Sequence, residues 1–207
     1  MLYKIFYVLS LYVIFNIYFA IIVSRLCLHE LYYSITNGGH MTKEVLEKVK
    51  QKASKVLSDN YIIEPFVNVF DIANGEGISI EYRKMPQGNT DVSGFFDSTT
   101  RTIYVNVDNS IARRTYTVAH ELGHYFLGHQ PDEYGLYRRN NSYSGIKEQK
   151  EKEADCFAAN LLMPESMVRK ELKEYPFLKS SIQLLADRFG VSSSAMTYRL
   201  MNLRIIK

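Results

Sequence analysis

From Thr42 to Leu57 the apolar residues Val45, Leu46, Val49, Ala53, Val56 and Leu57 recur at helical spacing among lysines and glutamates. That pattern predicts an amphipathic helix with a single apolar stripe, ended by Ser58-Asp59-Asn60. Pro65 suits the first turn of a short second helix through about Ala73, and Asn74-Gly75-Glu76-Gly77 signals a turn before the alternating strand Ile78 to Tyr82. Ser93 to Asp97 and Thr102 to Val107 are β-prone runs around the polar segment Ser98 to Arg101, which predicts a hairpin. Asp108-Asn109-Ser110 offers caps for a helix from about Ile111 to Leu127, and Gly128 stops it. After a long loop rich in Tyr, Arg, Asn and Gly, from Gln130 to Lys147, a helix from Glu148 to Met163 ends at Pro164. Ser181 to Leu203 reads as two helices around a turn at Gly190-Val191-Ser192, with Ser192 capping the second. The order predicts an α+β fold in which a small antiparallel sheet is flanked by helices.

The first forty residues follow another pattern. The run from Ile5 to Val23 is almost wholly apolar, and a helix of about 20 such residues crosses a bilayer core. A signal peptide is disfavoured, because no small-x-small cleavage site follows the run. Two readings of residues 1–40 stay open: a single-pass membrane anchor through residues 5–23, or a mis-assigned start ahead of a protein that begins at Met41. Gly38-Gly39-His40-Met41 is compatible with a purine-rich ribosome-binding sequence before a start codon. Residues 41–207 are expected to form one domain.

Composition narrows the partners only a little. In 207 residues, 25 basic and 22 acidic side chains leave a net charge of +3, and they are mixed along the chain. A nucleic-acid footprint usually shows a dense basic run, so nucleic acid is not an expected partner. Cys27 and Cys156 lie far apart, which leaves neither a disulfide framework nor a zinc ribbon and makes a reducing compartment the default.

The chemistry concentrates in TYTVAHELGHYFLGH, which holds three of the five histidines. His120-Glu121-Leu122-Gly123-His124 is H-E-x-x-H on a predicted helix. Residues four apart share a helix face, so both imidazoles can reach one zinc ion while Glu121 reaches a water beside it. A catalytic site of this type needs a third protein ligand and an open position. His129 sits one residue short of the metzincin spacing, with its glycine displaced, and reads as a surface histidine or one that supports the ligands from outside.

The helix from Glu148 is the better source of that ligand. Glu151 and Asp155 are four apart, so one can bind the metal while the other accepts a hydrogen bond from the outer nitrogen of a ligand histidine. Glu153 competes with Glu151. Helical phase favours Glu151, which shares a stripe with Ala154, Asp155, Ala158 and Leu162. Two histidines and one carboxylate suit one Zn2+ best among the transition metals. Oxyanion stabilisation needs a further donor, for which Tyr116, His129, Tyr134 and Tyr143 are candidates. Tyr125 and Phe126 read as packing residues.

TVAHELGHYFLGH, then EKEADCFAANLLMP and LADRFGVSSSAMTYRLMNL, with GFFD and TIYVNV upstream, resemble the ImmA/IrrE family of metallo-endopeptidases across about Val45 to Ile206. The resemblance implies a zincin-like domain with His120, His124 and Glu151 as zinc ligands, Glu121 as base and Asp155 behind a ligand. It also implies a protein substrate, a helix-turn-helix repressor whose cleavage derepresses mobile-element, phage or stress genes, and a cytoplasmic location. The apolar N-terminal run departs from that family. It keeps a second reading in view, a membrane-anchored HtpX-like quality-control protease. The block 181–203 raises a third, a DNA-binding regulator. Its second helix carries few basic groups near its start, which favours packing instead.

Overall fold

The computed structural model describes residues 41–85, 92–130, 145–177 and 181–207; the apolar run 5–23 and most of the loop 130–147 lie outside them. Met41 to Lys207 forms one compact unit. Among the described residues no helix is long and apolar enough to cross a membrane.

Helix α1 (Lys43–Asp59) starts where the Thr42 side chain accepts from the Val45 amide and buries Val49, Ala53, Val56 and Leu57, the stripe expected from its periodicity. Helix α2 (Val69–Gly75) begins later than expected. Pro65 does not open it, because Phe66 takes a left-handed backbone (φ 73°) that no helix can include. The start falls instead at Asn68, whose side chain accepts from the Phe70 amide.

The sheet consists of β1 (Ser79–Arg83), β2 (Gly94–Asp97) and β3 (Thr102–Asn106) in the order β1-β3-β2. The hairpin β2–β3 is antiparallel, but β1 joins β3 in parallel, so the sheet is mixed and the expectation of an all-antiparallel sheet is corrected. Burial accounts for the strand order. Ile103 and Val105 of β3 are fully buried, so this strand takes the centre, and largely exposed β1 is left for the far edge. One row across the sheet, Ile80–Ile103–Phe96, faces the core.

Helix α3 (Ile111–Leu127) is capped by Ser110, whose hydroxyl oxygen accepts from the Arg113 amide. It crosses α4 (Gly145–Leu162) at close range. A Cβ built on Gly123 of α3 would stand 3.0 Å from the Ala154 carbonyl oxygen and 3.1 Å from the Ala154 Cα. Phe157, Ala158, Leu161 and Leu162 continue the buried face of α4, and α1 packs on the same helix.

Pro164 starts a further helix, α5 (Glu165–Glu174), which the pattern of the sequence did not single out. The two C-terminal helices are α6 (Ile182–Phe189) and α7 (Ser193–Asn202), with Gly190 left-handed between them and Ser192 as the expected cap. Leu185, Phe189, Met196 and Leu200 are buried. Arg199 of α7 points inward, where it donates to the Met163 carbonyl and to Asn160 Oδ1, both at 2.8 Å. Its charge therefore serves packing.

Candidate metal centre

Every residue from Thr117 to His124 is buried, so the H-E-x-x-H segment lies within the protein and not on an open helix face. His120 and His124, one turn apart, bring their Nε2 atoms to 3.1 Å. Helix α4 delivers Glu151 opposite them, with Oε2 3.2 Å from His120 Nε2 and Oε1 3.4 Å from His124 Nε2. The ligand atoms of these three residues lie within 4.8 Å of one another, a spacing open to a single ion. The separation of His120 and Glu151 along the chain is closed by the Gly123–Ala154 contact, which sets α3 and α4 at the distance their side chains span.

Asp155 sits one turn beyond Glu151. Its Oδ1 accepts from His120 Nδ1 at 2.8 Å and from the Tyr116 hydroxyl at 2.8 Å. The Tyr116 hydroxyl thus supports Asp155, and Tyr134 and Tyr143 lie outside the described residues. Tyr125 and Phe126 pack as expected, Phe126 stacked on Phe157 at 5.7 Å and Tyr125 edge-on to Phe96 at 6.1 Å.

Glu153, the competitor, faces elsewhere. Its Oε2 lies 3.1 Å from His129 Nε2, and His129 Nδ1 lies 2.9 Å from His124 Nδ1. Gln149 donates to the other Glu153 oxygen at 3.0 Å. Periodicity did not find this chain of contacts. Its local cause is Gly128, left-handed at φ 67°, which lets the His129 amide turn back onto the His124 carbonyl at 3.0 Å and so folds the ring under the helix end. A glycine followed directly by histidine at a helix terminus was the available signal.

Charge at the centre is arranged for a cation. Burial pulls the His120 imidazole down, but Asp155, Glu151 and Glu121 outweigh it and hold the group at about 10. Burial keeps His124 below its ordinary value. It also raises Glu151, yet hydrogen bonds from His120 and His124 hold that carboxyl well below the usual range. The field that favours a proton on His120 equally favours a divalent ion. With Nδ1–H of His120 donated to Asp155, an ion that displaces the Nε2 proton meets a nitrogen lone pair beside a Glu151 oxygen, so the donors present fit a transition metal.

Residues 73–201 match Peptidase_M78, the IrrE N-terminal-like domain. Among curated proteins the chain is 26% identical over 134 residues to the Metallopeptidase ImmA of Bacillus subtilis (strain 168), covering 64% of this chain and 75% of that one. It is 30% identical over 131 residues to the Radiation response metalloprotease IrrE of Deinococcus radiodurans, covering 62% of this chain and 38% of that longer protein. Among solved structures, a Mycobacterium tuberculosis transcriptional regulator shares the fold, with a TM-score of 0.56 at 16% identity over 83% of this chain and 49% of its own. The family match spans more than half of the chain and contains every residue of the centre just described, so the chain belongs to the ImmA/IrrE family of metallopeptidases.

Proposed function

We propose that residues 41–207 form a zincin-type endopeptidase with one zinc ion held by His120, His124 and Glu151. The observation that carries this reading is the convergence of three lone-pair donors from two helices, beside a buried carboxylate whose charge acts on the same site, Glu121. A zinc ion bound there supplies Lewis acidity, which acidifies water and polarises a peptide carbonyl. Glu121, adjacent to His120 in the chain and buried with it, takes the proton from the attacking water and returns it to the leaving amine. Asp155, itself held by Tyr116, keeps the His120 proton on Nδ1.

The substrate proposed is a protein, and within that class a helix-turn-helix repressor encoded beside the gene, as the family resemblance implies. Strand β2 supports docking of an extended chain. Among the described residues it is an edge strand, and its start is pressed against the helix of the site: a Cβ on Gly94 would stand 2.6 Å from Thr117 Cγ2, and Arg113 donates to the Ser93 hydroxyl at 3.0 Å. A peptide pairing along β2 would run beside α3. The test is incubation of the zinc-loaded protein with that repressor, read by intact mass. Cleavage that stops with a chelator and returns with zinc is the expected outcome; cleavage indifferent to the chelator counts against a metallopeptidase.

A further inference from the structure

We propose that His129 and Glu153 are positioning residues that fix the tautomer of His124 and so make its Nε2 a metal ligand. The inference rests on the metal-centre reading above and goes beyond it. A histidine that binds through Nε2 must keep its proton on Nδ1. For His120 that condition is met directly, because Asp155 Oδ1 faces Nδ1 at 2.8 Å and a carboxylate only accepts.

For His124 the atom facing Nδ1 is another ring nitrogen, His129 Nδ1 at 2.9 Å. Either ring can donate across that gap, so the contact alone decides nothing. The far side of His129 decides it. Glu153 Oε2 lies 3.1 Å from His129 Nε2 and requires the proton there. A neutral His129 with its proton on Nε2 presents a lone pair at Nδ1, so His124 donates from Nδ1 and its own Nε2 lone pair turns to the metal position. Gln149 steadies the carboxylate by donating to its second oxygen at 3.0 Å.

Both ligand imidazoles therefore end on carboxylates of α4. Asp155 serves one directly, and Glu153 serves the other through His129. With both ring nitrogens of His129 so engaged, this histidine stands behind a ligand and is not one itself.

The experiment compares zinc affinity, measured by competition with a chromophoric chelator, in wild type, His129→Leu and His129→Asn, with the melting temperature of each metal-free protein alongside. Loss of an outer partner costs about 10–100-fold in metal affinity, and this is expected for His129→Leu. An asparagine oxygen near the Nδ1 position still accepts from His124, so His129→Asn should recover most of that loss. A folded His129→Leu within about twofold of wild type overturns the proposal. Should His129→Leu fail to fold, nitrogen-15 NMR of the zinc-loaded wild type decides: a His129 proton on Nε2 is expected, and one on Nδ1 overturns the relay. Wild type that binds no zinc overturns the metal centre itself, whereas zinc-binding wild type with an unaffected His129→Leu overturns the relay alone.

Discussion

The glycine inside the H-E-L-G-H segment offers a sharp test of how the centre is assembled. A Cβ at Gly123 would stand 3.0 Å from the Ala154 carbonyl oxygen, 3.1 Å from its Cα and 3.3 Å from Phe157 Cβ. Two of those atoms are helix backbone and cannot rotate away, so Gly123→Ala must push α4 outward by a few tenths of an ångström. Alanine gains about 1 kcal/mol of helix propensity over glycine, whereas overpacking a tight interior contact costs about 1–3 kcal/mol. The net is a loss of about 0–2 kcal/mol. At about 2–4 °C per kcal/mol for a chain of this size, the metal-free melting temperature should fall by at most about 8 °C. The larger effect belongs to the site. Ala154 lies between Glu151 and Asp155, so the displacement carries both carboxylates away from His120, whose contacts to them are 3.2 and 2.8 Å. Zinc affinity should fall by about tenfold or more, as for lost outer-partner contacts. Calorimetry of the metal-free protein and chelator competition measure the two quantities separately. A Gly123→Ala protein that gains about 1 kcal/mol and binds zinc as wild type does would refute the claim that this approach sets the site.

Further outcomes follow from the same geometry. In the metal-free centre His120 carries a proton up to about pH 10, while His124 and Glu151, both shifted downward, are already deprotonated near neutrality. Zinc binding should therefore release one proton, and apparent affinity should rise by about tenfold per pH unit between about 7 and 9, then flatten above 10; a slope near two protons would contradict the assignment. Asp155→Asn removes the charge that His120 Nδ1 and the Tyr116 hydroxyl share. Its zinc affinity should drop by about 10–100-fold, and Tyr116→Phe should show a smaller loss in the same chelator assay. Phe157 is fully buried and stacked on Phe126. Phe157→Ala should cost about 3–5 kcal/mol in urea unfolding, and a loss below about 1 kcal/mol would mean that the α3–α4 core tolerates the cavity.

Much of the scaffold was legible in the chain because local chemistry decides it. Thr42, Ser110 and Ser192 cap their helices as their side chains suggest, and Gly128 and Gly190 end theirs in the left-handed region. The four-residue steps His120–His124 and Glu151–Asp155 place each pair on one helix face, a spacing readable in the chain itself. Helical phase pointed to Glu151 over Glu153, and Glu151 is the carboxylate that meets both imidazoles.

Where non-local contacts decide, the sequence was silent. The alternation in β1 is the same for a parallel or an antiparallel partner, so only its pairing with β3 reveals the mixed sheet. Pro65 resembles a helix start, but the left-handed Phe66 packs its ring where a Cβ on Gly190 would fall, a constraint from the far end of the chain. The pairing of His129 with Glu153 joins a helix terminus to a side chain of α4 and leaves no periodic trace. Residues 1–40, with their apolar run, lie outside the described structure.

The central claim is that Glu121 acts as the base beside a zinc ion held by His120, His124 and Glu151. It is tested most directly by incubating wild type and Glu121→Gln, each with its bound zinc quantified, with the repressor encoded beside the gene. One zinc per chain in both proteins, with cleavage by wild type alone, is the predicted result. Cleavage by both, or by neither with zinc bound, would contradict it.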